Sequence, residues 1–272
     1  MTQAQRAVQP KPAATVILAR NAESGIEIFM MQRSLDSDFV GGAFVFPGGG
    51  VDRGDRELYA LCVGMTDADA SRRLKVEVDG LAYFVAAVRE CFEEAGLLLA
   101  YDPSGELLSL TDPEKAARFD AYRSALNRSE IGLAEICQRE GLRLAVDRMA
   151  YYSHWITPEG SHKRFDTRFF VAEAPAGQRG VHDDAETVDH AWLNPQDAVR
   201  HAQSGHYKII FPTLSNIRPL VEFSNTAALM AFACAERDIP AILPRRVRFP
   251  DGTVGPVLPG QPGYDTLPAS DA

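Results

Sequence analysis

The segment AAVRECFEEAG, residues 86–96, carries three glutamates and an arginine in a run that is otherwise mostly apolar. Glu90, Glu93 and Glu94 are spaced i, i+3 and i+4, so a helix places all three side chains on one face. Like charges at this spacing repel each other, at roughly 0.2–0.5 kcal/mol per pair in an isolated helix. The cluster is therefore either a solvated acidic face or a site for a cation that offsets the repulsion.

The spacing of the apolar residues predicts a helix from about Leu81 to Ala95, with Gly96 as its C-cap. Three carboxylates on this helix form an oxygen-rich site that suits Mg²⁺ or Mn²⁺. Upstream, FPGGGVDRGD (residues 46–55) supplies glycines that allow the backbone to approach an ion or a phosphate closely. Arg89 can orient a carboxylate through a bidentate pair.

Together these two segments resemble the Nudix box, whose pattern is Gx5Ex7REUxEExGU with U an aliphatic residue. The second half matches as RECFEEAGL, with Cys91 at the aliphatic position, and the first half matches from Gly49 to Asp55. The pattern has seven residues between its first acid and the arginine, whereas 33 lie between Asp55 and Arg89, an insertion of 26. An interrupted box of this kind resembles the branch of the peroxisomal coenzyme A diphosphatase and its bacterial relatives.

Further segments are similar to the same branch, so that the resemblance covers residues 14–223 in patches: QRS…GGAFVFPGG, HWITP…RFDTRFFVA and PTLSNI. The resemblance implies an α+β fold, a Nudix-type α/β/α sandwich with a mixed sheet. It also implies hydrolysis of a pyrophosphate linkage in a nucleoside diphosphate derivative, with Mg²⁺ or Mn²⁺ as the cofactor.

The resemblance also assigns roles by position in the box. Glu93 and Glu94 would be the principal metal ligands, and the carbonyl oxygen of Gly49 a further ligand. Glu90 would be either another ligand or the base that activates water. Arg89 would orient the carboxylates.

Two acidic positions are less well defined. Asp55 is shorter than the glutamate of the pattern, so its role stays open. Many relatives take a further acid from a later loop, and residues 182–193, HDDAETVDHAWL, offer Asp183, Asp184 and Glu186 just before a strand. We favour Glu186 as a catalytic residue because the pattern E…W-L-x-P resembles that position, and a solvated loop is the alternative for each of the three.

Charged residues elsewhere are candidates for substrate contacts. Arg33 ends a predicted strand beside the glycine loop, and Lys163 belongs to a basic loop that either contacts phosphates or is a plain turn. Arg164, Asp166 and Arg168 alternate along one strand face. They either form a salt-bridged solvent face or line a cleft, and we predict substrate binding by Arg33, Arg164 and Asp166.

The order of predicted elements, two strands, a glycine loop, a helix, more strands and more helices, indicates a mixed sheet between helical layers. We expect a flexible arm at residues 1–12, a Nudix domain at 13–243 and a Pro/Gly-rich tail at 244–272. Inside the domain we expect an insertion at 56–81, a helical addition at 112–139 and C-terminal helices at 195–238.

The composition limits the function classes. A net charge of −9 and a pI near 5.2 argue against a general affinity for nucleic acid. The four cysteines have no zinc-site spacing and are expected to be free thiols in a reducing compartment. The sequence shows neither a secretory leader nor a run of about 18 apolar residues, so we expect a cytoplasmic protein without a membrane partner.

Two competing functions deserve a test against the structure. One is a binding or regulatory module that kept the fold and lost the chemistry, and the other is a purely structural cation site. The presence of all three glutamates and of the glycine loop favours an enzyme. Its substrate stays open between coenzyme A or its thioesters, NADH, ADP-ribose and nucleotide sugars, and a homodimer stays open as well.

Overall fold

A computed structural model describes residues 8–36, 40–183 and 186–269. The strands are β1 Lys11–Ala22, β2 Gly25–Arg33, β3 Phe44–Val45, β4 Gly48–Gly50, β5 Ala100–Tyr101, β6 Arg143–Leu144, β7 Met149–Ile156, β8 Phe165–Glu173, β9 Thr187–Leu193, β10 Ala241–Ile242, β11 Arg245–Arg248 and β12 Val254–Val257. The α-helices are α1 Asp67–Leu74, α2 Gly80–Ala95, α3 Pro113–Asn127, α4 Leu133–Glu140, α5 Pro195–Gln203, α6 Phe211–Ile217 and α7 Thr226–Cys234.

Eight of these strands form one mixed sheet in the order β10-β7-β8-β1-β2-β3, with β4 beside β1 and β9 beside β2. The long strand β1 runs parallel to β8 from Lys11 to Ala19. On its other edge, its first half pairs with β4 and its second half with β2, both antiparallel. The glycine segment is therefore part of the sheet.

The sheet has a hydrophobic core on each face. Along β1, Val16 and Leu18 face the core formed with α1 to α4, whereas Ile17 and Ala19 face the core formed with α5 to α7. This alternation is the two-residue period of a strand that is covered on both sides. The predicted α/β/α sandwich with a mixed sheet is confirmed.

Helix α2, which carries the glutamates, is buried along most of its length. It starts one residue before the predicted Leu81, and the Leu81 N–H donates to the carboxylate of Asp67 at 2.9 Å. It ends at Ala95, as predicted, with Gly96 in the left-handed region at φ 68°. The Gly96 N–H donates to the carbonyl of Phe92, which closes the last turn.

The insertion folds against α2. Thr66 is the N-cap of α1, and its hydroxyl accepts from the N–H of Asp69. Ahead of it, the chain forms a 3-10 helix at Arg53–Leu61. Leu58 from this segment and Leu74 from α1 both enter the core around α2. The insertion therefore packs against α2 and leads the chain to the start of that helix.

The two ends of the chain are more ordered than expected where the structure describes them. Residues 11 and 12 of the predicted arm belong to β1, whereas residues 1–7 lie outside the described residues. The predicted tail contains the hairpin β11–β12, in which Val247 is fully buried. The Tyr264 hydroxyl donates to the carbonyl of Leu243 at 2.8 Å. This part of the tail is thus a packed element.

Candidate active site

Arg89 is the centre of a hydrogen-bond network that joins both halves of the interrupted box. Its Nε donates to Asp55 at 2.8 Å, and its Nη1 donates to Glu90 at 2.8 Å and to Glu93 at 3.0 Å. Its Nη2 donates to the carbonyl of Gly50 at 2.8 Å. A guanidinium can satisfy several acceptors at once because its donors are fixed in one plane. Arg89 is thus placed to orient two carboxylates of the cluster.

Asp55 reaches Arg89 in spite of its short side chain and the intervening insertion. Its side chain is 1% exposed, and its second carboxylate oxygen accepts the N–H of Asp52 at 2.7 Å. The 3-10 helix that starts at Arg53 brings this carboxylate down onto α2. The question that the sequence left open therefore has a structural answer: Asp55 anchors Arg89.

The glycines of β4 are required by close approach on two sides. The N–H of Gly48 donates to Glu94 at 2.8 Å. A Cβ on Gly48 would lie 2.5 Å from the carbonyl oxygen of Ala14, and a Cβ on Gly49 would lie 2.4 Å from a carboxylate oxygen of Glu90. Because atoms do not approach so closely, only glycine lets β4 pair with β1 while facing the two carboxylates.

The three glutamates are held in an environment that disfavours their charge. Burial raises the pKa of Glu93 to about 7, an effect that Arg89 opposes and that the neighbouring Glu90 adds to. Burial and the charge of Glu90 raise the pKa of Glu94 well above its ordinary value, against the hydrogen bond from Gly48. Burial also raises the pKa of Glu90, although Arg89 lowers it. In this cluster the effect of burial outweighs that of the positive charge which Arg89 supplies.

A cleft of about 1020 Å³ opens beside this cluster. Glu90, Glu94 and the glycines of β4 line one part of it, and apolar and hydroxyl side chains from β1, β7 and β8 form the floor. Glu93 is not among the residues that line the cleft, although Arg89 links it to Glu90. The cleft is large enough for a ligand the size of a dinucleotide.

Glu186 and Arg33 meet on another wall of the cleft. The guanidinium of Arg33 lies 3.5 Å from the carboxylate of Glu186, whose side chain is 65% exposed. Asp183 instead bonds to the hydroxyl of Thr187 at 2.7 Å and to its N–H at 2.9 Å. Asp184 lies outside the described residues. Of the acids considered in this loop, the structure brings Glu186 to the cleft.

The structure does not bring two of the predicted substrate contacts, Arg164 and Asp166, to the cleft. Arg164 is buried and donates to the carbonyls of Val8 and Thr157, at 2.8 and 3.0 Å. Asp166 binds His154 at 2.5 Å and pairs with Arg168. Neither Arg164 nor Asp166 lines the cleft.

Asp166 and Arg168 do share one face of β8, as the sequence indicates, but the opposite face of this strand lines the cleft. Phe165, Thr167 and Phe169 are the residues of this strand that line it. Since successive side chains point to opposite faces, an error of one residue exchanges the two sets. Only the position of β8 beside β1 in the sheet decides which set faces the cleft.

Sequence reasoning also missed two contributions to the cleft. Trp155 is buried, but one side of it lines the cleft. Arg246, from the segment expected to be a tail, lines the cleft as well. Three arginines within RRVR, residues 245–248, were the one available signal for the latter, in a chain that is acidic overall.

The donor set of the cluster fits a hard divalent cation. Two guanidinium groups face six carboxylates around β4, namely Arg33 and Arg89 against Asp52, Asp55, Glu90, Glu93, Glu94 and Glu186. Among the residues that the structure describes, no three acidic, histidine or cysteine side chains are already arranged to hold a metal ion. Arg89 and the N–H of Gly48 occupy oxygens of the three glutamates instead. Carboxylate oxygens with raised pKa values and a shortage of positive charge are the chemistry that Mg²⁺ or Mn²⁺ would satisfy.

Comparison with known proteins agrees with this geometry. Residues 65–220 match the family model described as the NUDT19 Nudix domain. The acyl-coenzyme A diphosphatase NUDT19 of Homo sapiens is 28% identical over 88% of this chain and 72% of that protein. Its counterpart from Xenopus laevis is 25% identical over 92% of this chain and 74% of that protein.

Solved structures show the same fold. The crystal structure of a Nudix hydrolase from Alicyclobacillus acidocaldarius is 25% identical and has a TM-score of 0.66, and the match covers 82% of this chain and 96% of that one.

Across the described ranges, no helix has the length and apolar character needed to cross a membrane. The interrupted box, the fold and the family match together show that this chain belongs to the Nudix family and is a Nudix pyrophosphohydrolase with a NUDT19-type domain.

Proposed function

We propose that this enzyme hydrolyses the diphosphate linkage of coenzyme A or an acyl-coenzyme A, and that it requires Mg²⁺ or Mn²⁺. The observation that carries the proposal is the surplus of buried carboxylate beside a glycine strand at the side of a long cleft. The substrate class is supported by the similarity to the acyl-coenzyme A diphosphatases of Homo sapiens and Xenopus laevis. We also propose that the hydrolase domain, expected at 13–243, extends to Lys11 at the start of β1 and includes the packed hairpin β11–β12.

Glu93, Glu94 and the carbonyl oxygen of Gly49 would hold the cation, with Glu90 beside them as the proton acceptor. A bound divalent cation would neutralise the anhydride oxygens and stabilise the charge that develops on the leaving phosphate. Arg89 holds Glu90 and Glu93 in place, and the N–H of Gly48 holds Glu94. These hydrogen bonds fix the direction of the carboxylates before the substrate arrives, which removes part of the ordering that catalysis requires.

Two acids are placed to take a proton from the attacking water. Glu90 lines the cleft between the glycines of β4 and the guanidinium of Arg89. Glu186 reaches the cleft from another wall and is paired with Arg33. We assign the proton transfer to Glu90, with Glu186 as the second acid of the site. Arg33 is placed to bind a phosphate oxygen of the anhydride.

A panel of anhydrides tests this proposal. Coenzyme A, an acyl-coenzyme A, NADH, ADP-ribose and a nucleotide sugar are incubated with Mg²⁺, Mn²⁺ or a chelator, and the released phosphates are measured. We expect metal-dependent cleavage of the coenzyme A compounds and a loss of at least about 100-fold in kcat for Glu94→Gln, which removes one charged ligand. Glu77→Gln, at an exposed glutamate, is the matched control.

Two results would contradict the proposal. Preferential cleavage of NADH, ADP-ribose or the nucleotide sugar would leave the enzyme class intact and exclude the substrate. Full activity in the chelator, or in Glu94→Gln, would exclude the role of the cation and of its proposed ligand.

A further inference from the structure

The cleft extends much farther than the acidic cluster, and the sheet register gives its length. One row of paired residues runs across five strands: Gly50 in β4, Ala13 in β1, Thr167 in β8, Trp155 in β7 and Ile242 in β10. Neighbouring strands are separated by about 4.8 Å, so the four steps span roughly 19 Å. Ala13, Thr167 and Trp155 all line the cleft. The acidic cluster is at the β4 end of this row.

The far end of the row leads to a basic hairpin. Strand β10 runs parallel to β7, so the chain beyond Ile242 leaves the sheet on the same side as the residues that follow Ile156. The hairpin β11–β12 begins three residues later, and Arg246 from β11 lines the cleft. Lys163, from the loop that connects β7 to β8, lines it too. Basic side chains from two separate segments thus lie at this end of the cleft.

The hairpin is fixed in place, so Arg246 is presented by a packed element. Val247, next to it, is fully buried, and Val257 on the partner strand is 4% exposed. Leu258 packs against the core between the sheet and α5 to α7. The N–H of Arg248 donates to the carbonyl of Pro268 at 3.1 Å, which joins the hairpin to the segment that follows it.

Within the part of the chain that the structure describes, no side-chain partner explains the position of Arg246. It is exposed and lines the cleft, and among the described residues it makes no side-chain hydrogen bond or ion pair. Arg248, two residues on and on the same face of β11, instead donates to the carbonyl of Gly252 at 3.2 Å and does not line the cleft. Arg246 therefore faces the cleft, where a ligand can reach it, whereas Arg248 does not.

We propose that Arg246 binds a second phosphate of the substrate, a phosphomonoester on the nucleoside, at the end of the cleft opposite the acidic cluster. This inference rests on the proposed function, because coenzyme A carries such a group on the 3′ position of its ribose. A phosphomonoester carries a charge of about −1.5 to −2 at neutral pH, and the guanidinium fork matches it with two parallel hydrogen bonds. The acidic cluster itself would repel a second phosphate that had no cation.

The length of such a ligand fits the cleft. About eight bonds of roughly 1.5 Å separate the distal 5′ phosphorus from the 3′ phosphorus, or roughly 10 Å when the chain is extended. A cation between carboxylate and phosphate adds roughly 4 Å, and a hydrogen bond from arginine adds roughly 3 Å. The total of about 17 Å is close to the roughly 19 Å between β4 and β10.

The test compares coenzyme A with 3′-dephospho-coenzyme A in wild type, Arg246→Gln and the matched control Arg248→Gln. We expect wild type to prefer coenzyme A by roughly 10- to 100-fold in kcat/KM, the usual effect of a hydrogen bond to a charged group. Arg246→Gln should remove this preference, mainly by raising KM for coenzyme A, and leave dephospho-coenzyme A unchanged. Arg248→Gln should behave like wild type.

Equal losses on both substrates, a wild type without preference, or the same loss in Arg248→Gln would overturn the assignment and leave the proposed hydrolysis standing. Calorimetry separates the two proposals if neither compound is cleaved, with adenosine 3′,5′-bisphosphate and 5′-AMP as probes. Tighter binding of the bisphosphate, lost in Arg246→Gln, would support the second phosphate site although the proposed function fails. Equal binding of the two probes to wild type would overturn the site.

Discussion

Replacing Glu93 by glutamine should stabilise the metal-free protein at alkaline pH while removing a proposed metal ligand. Burial raises the pKa of Glu93 from 4.5 to about 7, and this balance already includes the attraction of Arg89. Between these two values the folded protein holds a proton that the unfolded chain has released. Stability is therefore greatest at low pH and is lost as the pH rises through about 7. Glutamine resembles the protonated side chain at every pH.

The size of the effect follows from the shift. A difference of 2.5 pKa units corresponds to about 3 kcal/mol at pH 8, at 1.36 kcal/mol per unit. The Glu93 side chain is 22% exposed, so screening by solvent makes this an upper value. At pH 5 the same relation predicts that Glu93→Gln is more stable than wild type by under about 1 kcal/mol. With roughly 2–4 °C in Tm per kcal/mol, we expect Glu93→Gln to melt about 6 °C higher than wild type at pH 8.

Thermal unfolding in a chelator at pH 5 and pH 8 measures this difference, with Glu77→Gln as a control at an exposed position. Added Mn²⁺ should raise the Tm of wild type at pH 8 more than that of Glu93→Gln, because the cation needs the carboxylate. A Tm for Glu93→Gln below wild type at pH 8, or a difference between the two that does not change with pH, would refute the reasoning.

Two further substitutions test two different contacts, that of Asp55 with Arg89 and those of Arg164 with Val8 and Thr157. Asp55→Asn keeps the shape but removes a buried counter-charge, so we expect a loss of about 2 kcal/mol in stability and of at least about 10-fold in kcat. Denaturant unfolding and steady-state kinetics measure these, and unchanged kcat would show that Asp55 does not position Arg89. Arg164→Gln removes hydrogen bonds to Val8 and Thr157, so Tm should fall by a few degrees while kcat/KM stays within about twofold. A raised KM at unchanged Tm would return Arg164 to the substrate site.

Much of the catalytic end of the site could be predicted because it is local in sequence. Glu90, Glu93 and Glu94 share one helical face by spacing alone, and Gly96 marks where that helix ends. The glycines of β4 follow from the need for close approach, although their partners do not. The fold class followed from the order of elements, since alternating strands and helices leave few ways to cover both faces of a sheet.

The remaining part of the site depends on contacts between distant segments. Asp55 and Arg89 are 34 positions apart, and only the folded insertion shows that the carboxylate reaches the guanidinium. The face of β8 that meets the cleft depends on its pairing with β1, since the alternation of Arg164, Asp166 and Arg168 fits either face equally well. The basic run RRVR marks the segment of Arg246, but its place in the cleft could not be predicted, because a Pro/Gly-rich segment shows no period that predicts a packed hairpin.

The position of β4 in the sheet has a consequence for which substrates the enzyme can accept. Residues 13–15 of β1 are hydrogen-bonded to β4 on one edge and to β8 on the other, so the N–H of Gly48 can shift only if three strands shear together. We therefore expect the anhydride to be held in one geometry. Adaptation to groups of different size has to come from the opposite walls, where the segment after β7 and the connection into α6 contribute Pro158, Lys163 and Ile210 to the cleft. An enzyme built in this way is expected to be strict about the bond that it cleaves and permissive about the length of the chain attached to it.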